Sequence, residues 1–329
     1  MKKKKLAFLF GFTPNLTFAA ANAALSINRH ISITDYDIIM LYTNLSEGDK
    51  RALEKIPHVK LYKFEFPNGF VEHMLANIPA QSRFRTANHL MCFAHFEVFK
   101  WLDEYQNVVW NDVDIGVQGD LAGILDYGPF GLCNDTPWNV VNQFSQPVPG
   151  WEMDIPAYCS GVMIANDSLP YRQMYDFCYE KAKQYAAYLV NPDQAIINLM
   201  LQQFNLTPCV VPLEEYNCIS WREDANVAKI AHFGTEQKVW NNTNICNAFP
   251  EWYRTHLQWL ALGGSDFDRS AITPRNARGA LDWLDKLMSN SKKTWYLFGV
   301  VPVYRIKSCG KKSWHLLLSI VPFLRVKGS

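Results

Sequence analysis

No stretch of this 329-residue chain reaches the run of about 18 apolar residues that a membrane-spanning helix requires, so none is expected. Neither Gly-x-Gly-x-x-Gly nor Gly-x-x-x-x-Gly-Lys-Ser/Thr occurs, which disfavours the dinucleotide-binding and P-loop classes. The eight cysteines (92, 133, 159, 178, 209, 218, 246, 309) form no Cys-x-x-Cys pair, so a zinc site has no support. Several lie in apolar runs, as buried reduced thiols do, which points to a cytosolic protein. Acid is missing altogether from residues 286–329, which carry nine Lys and Arg. The remaining 285 residues hold 23 basic and 31 acidic side chains, a net of −8 concealed by the overall +1. Tail and body are electrostatically different objects.

What is present suits a packed α/β protein. With 49% hydrophobic and 14% aromatic residues, disorder is excluded and a large core is expected. Lys2 to Lys5 followed by Leu6–Phe10 imitates a secretory leader, but Thr13-Pro14-Asn15 breaks the apolar stretch. A strand (6–10), a turn (11–16) and an Ala-rich helix (17–27) capped by Thr17 account for it better. A strand (36–42), a helix started by Ser46 (46–55) and a strand (58–66) follow. Strand-helix-strand-helix-strand implies a parallel sheet with right-handed crossovers, which binds ligands beyond the carboxyl ends of its strands. The Gly11–Asn15 turn is at one such end. Downstream the pattern predicts helices over 86–104, 171–188, 192–204, 249–262 and 275–288, and short strands over 130–133, 159–166 and 227–233.

One stretch concentrates the chemistry. Asn107-Val-Val-Trp-Asn-Asp-Val-Asp-Ile-Gly-Val117 reads as an apolar strand running into Asp112 and Asp114. At i, i+2 on extended backbone both carboxylates point to one side, where they repel unless a cation lies between them. Oxygen ligands of this kind suit Mg²⁺ or Mn²⁺, which in turn suit a diphosphate. About one Asp-x-Asp is expected by chance from 18 aspartates, and there are three, so a capped turn is the competing reading. Of the three, Asp112/Asp114 alone ends a hydrophobic run.

The tail repeats itself. Lys292-Lys-Thr-Trp-Tyr-Leu-Phe-Gly-Val-Val-Pro-Val-Tyr-Arg-Ile-Lys307 matches residues 311–327 with one insertion: a basic pair, a Trp, an apolar run with Pro, and a closing basic pair. That composition fits contact with an anionic membrane surface; the alternative is a terminal β-hairpin with basic edges. No nucleic-acid-binding signature is present.

Three further segments, Tyr158-Cys-Ser-Gly-Val-Met-Ile-Ala-Asn166, Asn191-Pro-Asp-Gln-Ala-Ile-Ile-Asn198 and His232-Phe-Gly-Thr-Glu-Gln-Lys-Val-Trp240, together with Leu213-Glu-Glu-Tyr-Asn217, resemble glycosyltransferase family 8. Their order agrees, and the match covers residues 6–240. The resemblance implies a GT-A fold, a Rossmann-like mixed α/β sheet flanked by helices. Together with the helical pattern and the tail's composition, it divides the chain into a catalytic domain (1–245), a helical extension (246–290) and a basic aromatic membrane-association tail (291–329). It further implies a retaining, metal-dependent transferase that moves a hexose from a UDP-sugar to a saccharide or glycolipid acceptor in surface-polysaccharide synthesis, working on the inner face of the cytoplasmic membrane.

In that scheme Asp112, Asp114 and His232 hold Mn²⁺ or Mg²⁺. Lys238 pairs with the diphosphate, with Gly234 and Thr235 in its loop, and Phe12, Thr13 and Asn15 line the nucleotide. Asp193 binds sugar hydroxyls and Gln194 lies near the anomeric carbon. The departures are Cys159 for the usual Asn, Ala195 for Asp, Thr235 at the usual Gly position with Gly234 one place early, Val239 for Pro, Asn111 for an apolar residue, and His95 where Arg is common, with Arg83 or Arg85 as possible substitutes. Two rival readings remain: a haloacid-dehalogenase-like phosphatase, whose Asp-x-Asp also follows a strand, and a degenerate sugar-nucleotide-binding protein without turnover.

Overall fold

The computed structural model describes residues 3–79, 82, 86, 89–234 and 238–267; of residues 243, 244 and four strands between 293 and 327 it describes the backbone alone. Contacts divide the chain into two compact units, Met1–Gly234 with Thr255–Phe267, and Thr235–Arg254 with Asp268–Ser329.

The first unit is built on a seven-stranded mixed sheet. Its strands are β1 (Lys4–Phe12), β2 (Tyr36–Tyr42), β3 (Val59–Lys63) and β4 (Tyr105–Asn111), with β6 (Phe130–Asn139), β7 (Pro156–Asn166) and β8 (Cys209–Val210). A three-stranded sheet holds β5 (Ile115–Val117), β9 (Cys218–Ile219) and β10 (Ile230–His232). The large sheet has the order β3-β2-β1-β4-β7-β6-β8. The first four strands are parallel, and β7 reverses against both β4 and β6. Strand β1 is central and covered on both faces, hence the unbroken apolar run Leu6–Phe10, all fully buried. Crossovers are α1 (Thr17–His30), α2 (Glu47–Leu53) and α3 (Phe70–Asn77); α4 (Glu97–Trp101), α5 (Tyr171–Gln184) and α6 (Pro192–Gln203) complete the layers. The alanines of α1 at 19, 20, 21, 23 and 24 are fully buried, small enough for the helix to lie close on the sheet. Ser46 caps α2 as expected, accepting from Asp49 N at 3.0 Å.

Several sequence expectations are corrected. Thr17 is the first residue of α1 rather than its cap, and its hydroxyl donates back to Pro14 O at 2.9 Å. The single helix expected over 86–104 is a 3₁₀ segment, His89–Phe96, followed by the short α4. Six of the eight residues of that 3₁₀ segment are buried, so packing on two sides overrides the helical period. The continuous strand expected over 107–117 breaks at the Asp pair, and its halves belong to different sheets. Strand β6 continues to Asn139, β10 is only three residues long, and α3 had no counterpart in the sequence reading.

In the second unit four strands, Lys293–Leu297, Val301–Cys309, Lys312–Leu317 and Val321–Lys327, pair antiparallel in sequence order. The helix expected over 275–288 lies outside the described residues. Among the described residues no helix is long and apolar enough to cross a membrane.

The two ends of the parallel strands do different work. At the amino end, Asp37 on β2 is buried and accepts from Lys4 Nζ (3.0 Å), Lys60 Nζ (2.8 Å) and Tyr105 OH (2.7 Å), tying together β1, β2, β3 and β4. Burial alone would raise the Asp37 carboxyl, but these three donors hold it below its ordinary value. At the carboxyl end, β1 must carry glycine: a Cβ on Gly11 would lie 2.8 Å from the Trp110 indole and 3.0 Å from Ala94 Cβ.

Two stability outcomes follow from these ends. Asp37→Asn removes a carboxylate whose folded value is depressed, so its contribution is complete above the unfolded value near 3.8 and is lost as pH falls through the folded one. Both lysines are nearly half-exposed, so the cost at neutral pH is about 1–2 kcal/mol, and chemical denaturation should show wild type and variant converging below about pH 4. Gly11→Ala overpacks the Trp110 contact and should cost about 1–3 kcal/mol in the same measurement.

Candidate active site

Asp112 and Asp114 occupy the step between the two sheets. Strand β4 ends at Asn111, yet Asp112 N still donates to Gly161 O on β7 at 3.1 Å, so Asp112 is fixed by the large sheet. Three residues on, Ile115 pairs with His232 across β5 and β10, and Phe233 N donates to Asp114 O at 2.8 Å, so Asp114 is fixed by the small sheet. The same pairing brings the His232 imidazole between them. Its Nε2 lies 3.6 Å from Asp112 Oδ2 and 3.3 Å from Asp114 Oδ1, and one ligand atom from each residue falls within 4.8 Å of the others.

His232 is oriented from behind. Asn217 Oδ1 lies 2.6 Å from its Nδ1, which places the ring proton on Nδ1 and the Nε2 lone pair toward the two carboxylates. Glycine makes the remaining room. A Cβ on Gly161 would stand 3.3 Å from both Asp112 Oδ2 and His232 Cε1, and one on Gly234 would stand 2.8 Å from His232 Nε2. Two carboxylates and an imidazole nitrogen form a donor set that fits a divalent cation of the Mn²⁺ or Mg²⁺ type.

A second cluster adjoins the first through His95. Its ring is buried and packs on Trp110 at 4.0 Å between centroids. Nδ1 donates to Cys92 O at 2.5 Å and lies 3.6 Å from Asp193 Oδ2, while Nε2 faces Asp112 Oδ1 at 3.3 Å without hydrogen-bond alignment. Burial would lower the imidazole, but Asp193 and then Asp112 outweigh it and hold His95 above its ordinary value. Asp193 and Gln194 open α6, where Pro192 supplies the first helical residue. The hydroxyl of Ser160 donates to Asp193 Oδ2 at 2.7 Å. The Gln194 amide accepts from Ser160 N (3.2 Å) and donates to Asp135 Oδ2 (2.7 Å). Burial raises the Asp135 carboxyl, offset in part by Gln194 and Gln143. One turn further along α6, Asn198 clamps both the N–H and the C=O of Tyr158, each at 2.9 Å. The Tyr158–Ser160 stretch of β7 is thus fastened to α6 through Asp193, Gln194 and Asn198.

Of the expected residues, Asp112, Asp114 and His232 therefore come together, with Asp193 and Gln194 joined to them through His95 and β7. Phe12, Thr13 and Asn15 close the carboxyl end of β1, the neighbour of β4. The Phe12 side chain is buried, and the Thr13 hydroxyl donates to Asn15 Oδ1 at 2.6 Å. Gly234 is exposed and ends the first segment of the first unit. Lys238 belongs to the second unit, where its N–H donates to Asn241 Oδ1 at 2.7 Å. Thr235, Arg83 and Arg85 lie outside the described residues. Cys159 stands beside Asn217 Nδ2 (3.6 Å), and burial pushes its thiol up to about 12. Sequence reasoning gave no role to Asn217, Ser160 and Gly161, although all three stood in quoted segments, and it passed over Asp135.

The structure and the sequence agree with known transferases. The family model described as glycosyl transferase family 8 matches residues 8–244. No curated protein matches the chain. Among solved structures, the apo form of the bifunctional glycosyltransferase WbbM superposes with a TM-score of 0.58 at 17% identity, over 80% of this chain and 52% of its own. This chain thus spans about half the length of WbbM. The galactosyltransferase LgtC, solved with donor and acceptor sugar analogs, gives 0.54 at 15% identity, over 83% of this chain and 99% of its own. The apo glycosyltransferase GlyE of Streptococcus pneumoniae TIGR4 gives 0.50 at 14% identity, over 79% and 64%. At these identities the structural likeness establishes the fold, which is that of the GT-A glycosyltransferases. The phosphatase reading is overturned by the family match and by the place of the Asp pair, after the fourth strand rather than near the first. From β1 to beyond His232 the match is continuous, and the chain belongs to glycosyl transferase family 8, a family of glycosyltransferases.

Proposed function

We propose that this protein is a metal-dependent, retaining hexosyltransferase that moves a sugar from a UDP-sugar to a saccharide or lipid-linked acceptor in surface-polysaccharide synthesis. The observation that carries the reading is the convergence of Asp112, Asp114 and His232 from two sheets onto one point, with Asn217 fixing the imidazole. Those three residues would hold Mn²⁺ or Mg²⁺, and the cation supplies charge neutralisation to the diphosphate as UDP leaves. Lys238, with Gly234 and Thr235, binds diphosphate oxygens, and Phe12, Thr13 and Asn15 position the nucleotide. Asp193 holds sugar hydroxyls, and Gln194 lies at the anomeric face opposite the leaving group. In the transfer, the bond from the anomeric carbon to the phosphate oxygen breaks. A bond to the acceptor oxygen forms on the same face, and the acceptor proton passes to the leaving phosphate.

In this reading residues 1–245 form the catalytic domain, 246–290 a helical extension, and 291–329 a basic aromatic tail that holds the enzyme to anionic lipid on the inner face of the cytoplasmic membrane. The tail's eight cations without an acid over residues 291–329 support it.

Calorimetric titration with UDP tests the site. Binding should need Mn²⁺ and vanish in Asp114→Asn; absence of UDP binding in wild type under both conditions contradicts the reading. Asn217→Ala leaves the ligands in place but frees the imidazole, and should weaken Mn²⁺-dependent UDP binding about 10- to 100-fold. A screen of UDP-sugars for slow hydrolysis then separates an enzyme from a binding protein, because sugar is released only in the first case.

A further inference from the structure

A cleft of about 1020 Å³ opens beside the active site, between the 150–158 segment and the carboxyl-terminal half of α6 with residues 205–208. Among the described residues that line it there is no Lys, Arg or His, so its walls offer nothing to a phosphate, a nucleotide or an anionic lipid headgroup. They offer two aromatic rings, Trp151 and Tyr158, a carboxylate, Glu152, and side-chain amides at 202, 203 and 205. Ring faces flanked by amide and carboxylate groups suit a hydroxyl-rich ring with apolar C–H faces: a neutral saccharide.

The walls are set in advance. The Trp151 indole N–H donates to Tyr185 OH at 3.0 Å and its ring meets Phe177 edge-on at 6.0 Å, which locks the ring. The Gln202 amide accepts from Glu152 N and donates to Glu152 O, both at 2.9 Å, clasping the 150–158 segment to α6. Tyr158 has both backbone groups taken by Asn198, yet its half-buried hydroxyl makes no hydrogen bond among the described residues.

The inner end of the cleft adjoins the reaction centre. Tyr158 is two residues from Ser160, about 7 Å along β7, and Asn198 is one turn from Gln194, about 6 Å along α6. Ser160 binds Asp193, so the cleft begins roughly one sugar ring away from the residues assigned to the donor sugar. Resting on the transferase reading for its role, we infer that this cleft is a saccharide subsite that holds the acceptor glycan beyond its reacting end and selects neutral chains of three or more sugars.

Saturation-transfer NMR tests it on the full chain, with a mixture of neutral gluco- and galacto-oligosaccharides of three to six residues as probe. Wild type should transfer saturation to the longer chains and far less to free hexose. Thr207→Trp and Glu152→Arg both alter exposed residues on the wall, the first by filling the cleft and the second by adding charge and bulk. Each should weaken oligosaccharide binding at least about tenfold while the protein still melts cooperatively. No transfer to any chain in wild type, or undiminished transfer in a folded variant of either kind, overturns the inference. The UDP titration on the same wild-type sample separates the two proposals. Nucleotide binding without oligosaccharide binding removes this subsite and leaves the donor site; the reverse removes the donor site and leaves a saccharide-binding cleft.

Discussion

Two carboxylates and an imidazole nitrogen held within 4.8 Å of one another set the terms for the rest of the molecule. Asp112 and Asp114 carry like charge, and no fold gathers such a pair on its own account, because mutual repulsion and desolvation both oppose it. The gathering is imposed by backbone hydrogen bonds. Asp112 is anchored to β7 in the large sheet, and Asp114 to β10 in the small one, so the Asp pair sits on the seam where one strand is divided between two sheets. Glycine at 161 and at 234 keeps that seam open on the side of the imidazole. A divalent cation would convert the arrangement from a cost into a binding site.

Stability and chemistry are assigned to opposite ends of the parallel strands. Asp37 and its three donors fasten the first four strands at the amino end, where a satisfied buried carboxylate strengthens the sheet. The carboxyl end holds groups in less comfortable surroundings: the His95 Nε2 without an aligned partner among the described residues, the Asp135 carboxyl raised by burial, and Gly11 forced by the Trp110 indole. Placing the demanding groups at one end lets the other end tolerate their cost. The same division makes β7 and α6 the common wall of the Asp193–Gln194 cluster and the neighbouring cleft, joined through Tyr158, Ser160 and Asn198.

Much of this was legible in the chain. An apolar run ending in Asp112 and Asp114 announced both a buried strand and a charge problem at its end, and the alternation of β1, α1, β2, α2 and β3 announced a parallel sheet. His232 could be joined to the pair through family resemblance alone, because its partners lie in distant sequence and nothing periodic links them. The long helix expected over 86–104 failed because its apolar residues are buried on more than one side, around Trp110 and β1, where packing rather than helical period sets the backbone. The uninterrupted strand over 107–117 failed at the Asp pair itself: the feature that marked the site also ends the sheet there. Asp135 on β6 left no signal, and Asn217 stood out only as part of a resembling segment, since a single acid or amide gains its meaning from a neighbour brought by the fold.

Location of the cation tests the central claim most directly. A crystal grown or soaked with Mn²⁺ and UDP, measured at the manganese absorption edge, should show one anomalous peak within bonding distance of Asp112, Asp114 and His232 Nε2. A peak that contacts the diphosphate but none of these three side chains, or manganese bound elsewhere on the sheet, would contradict the account.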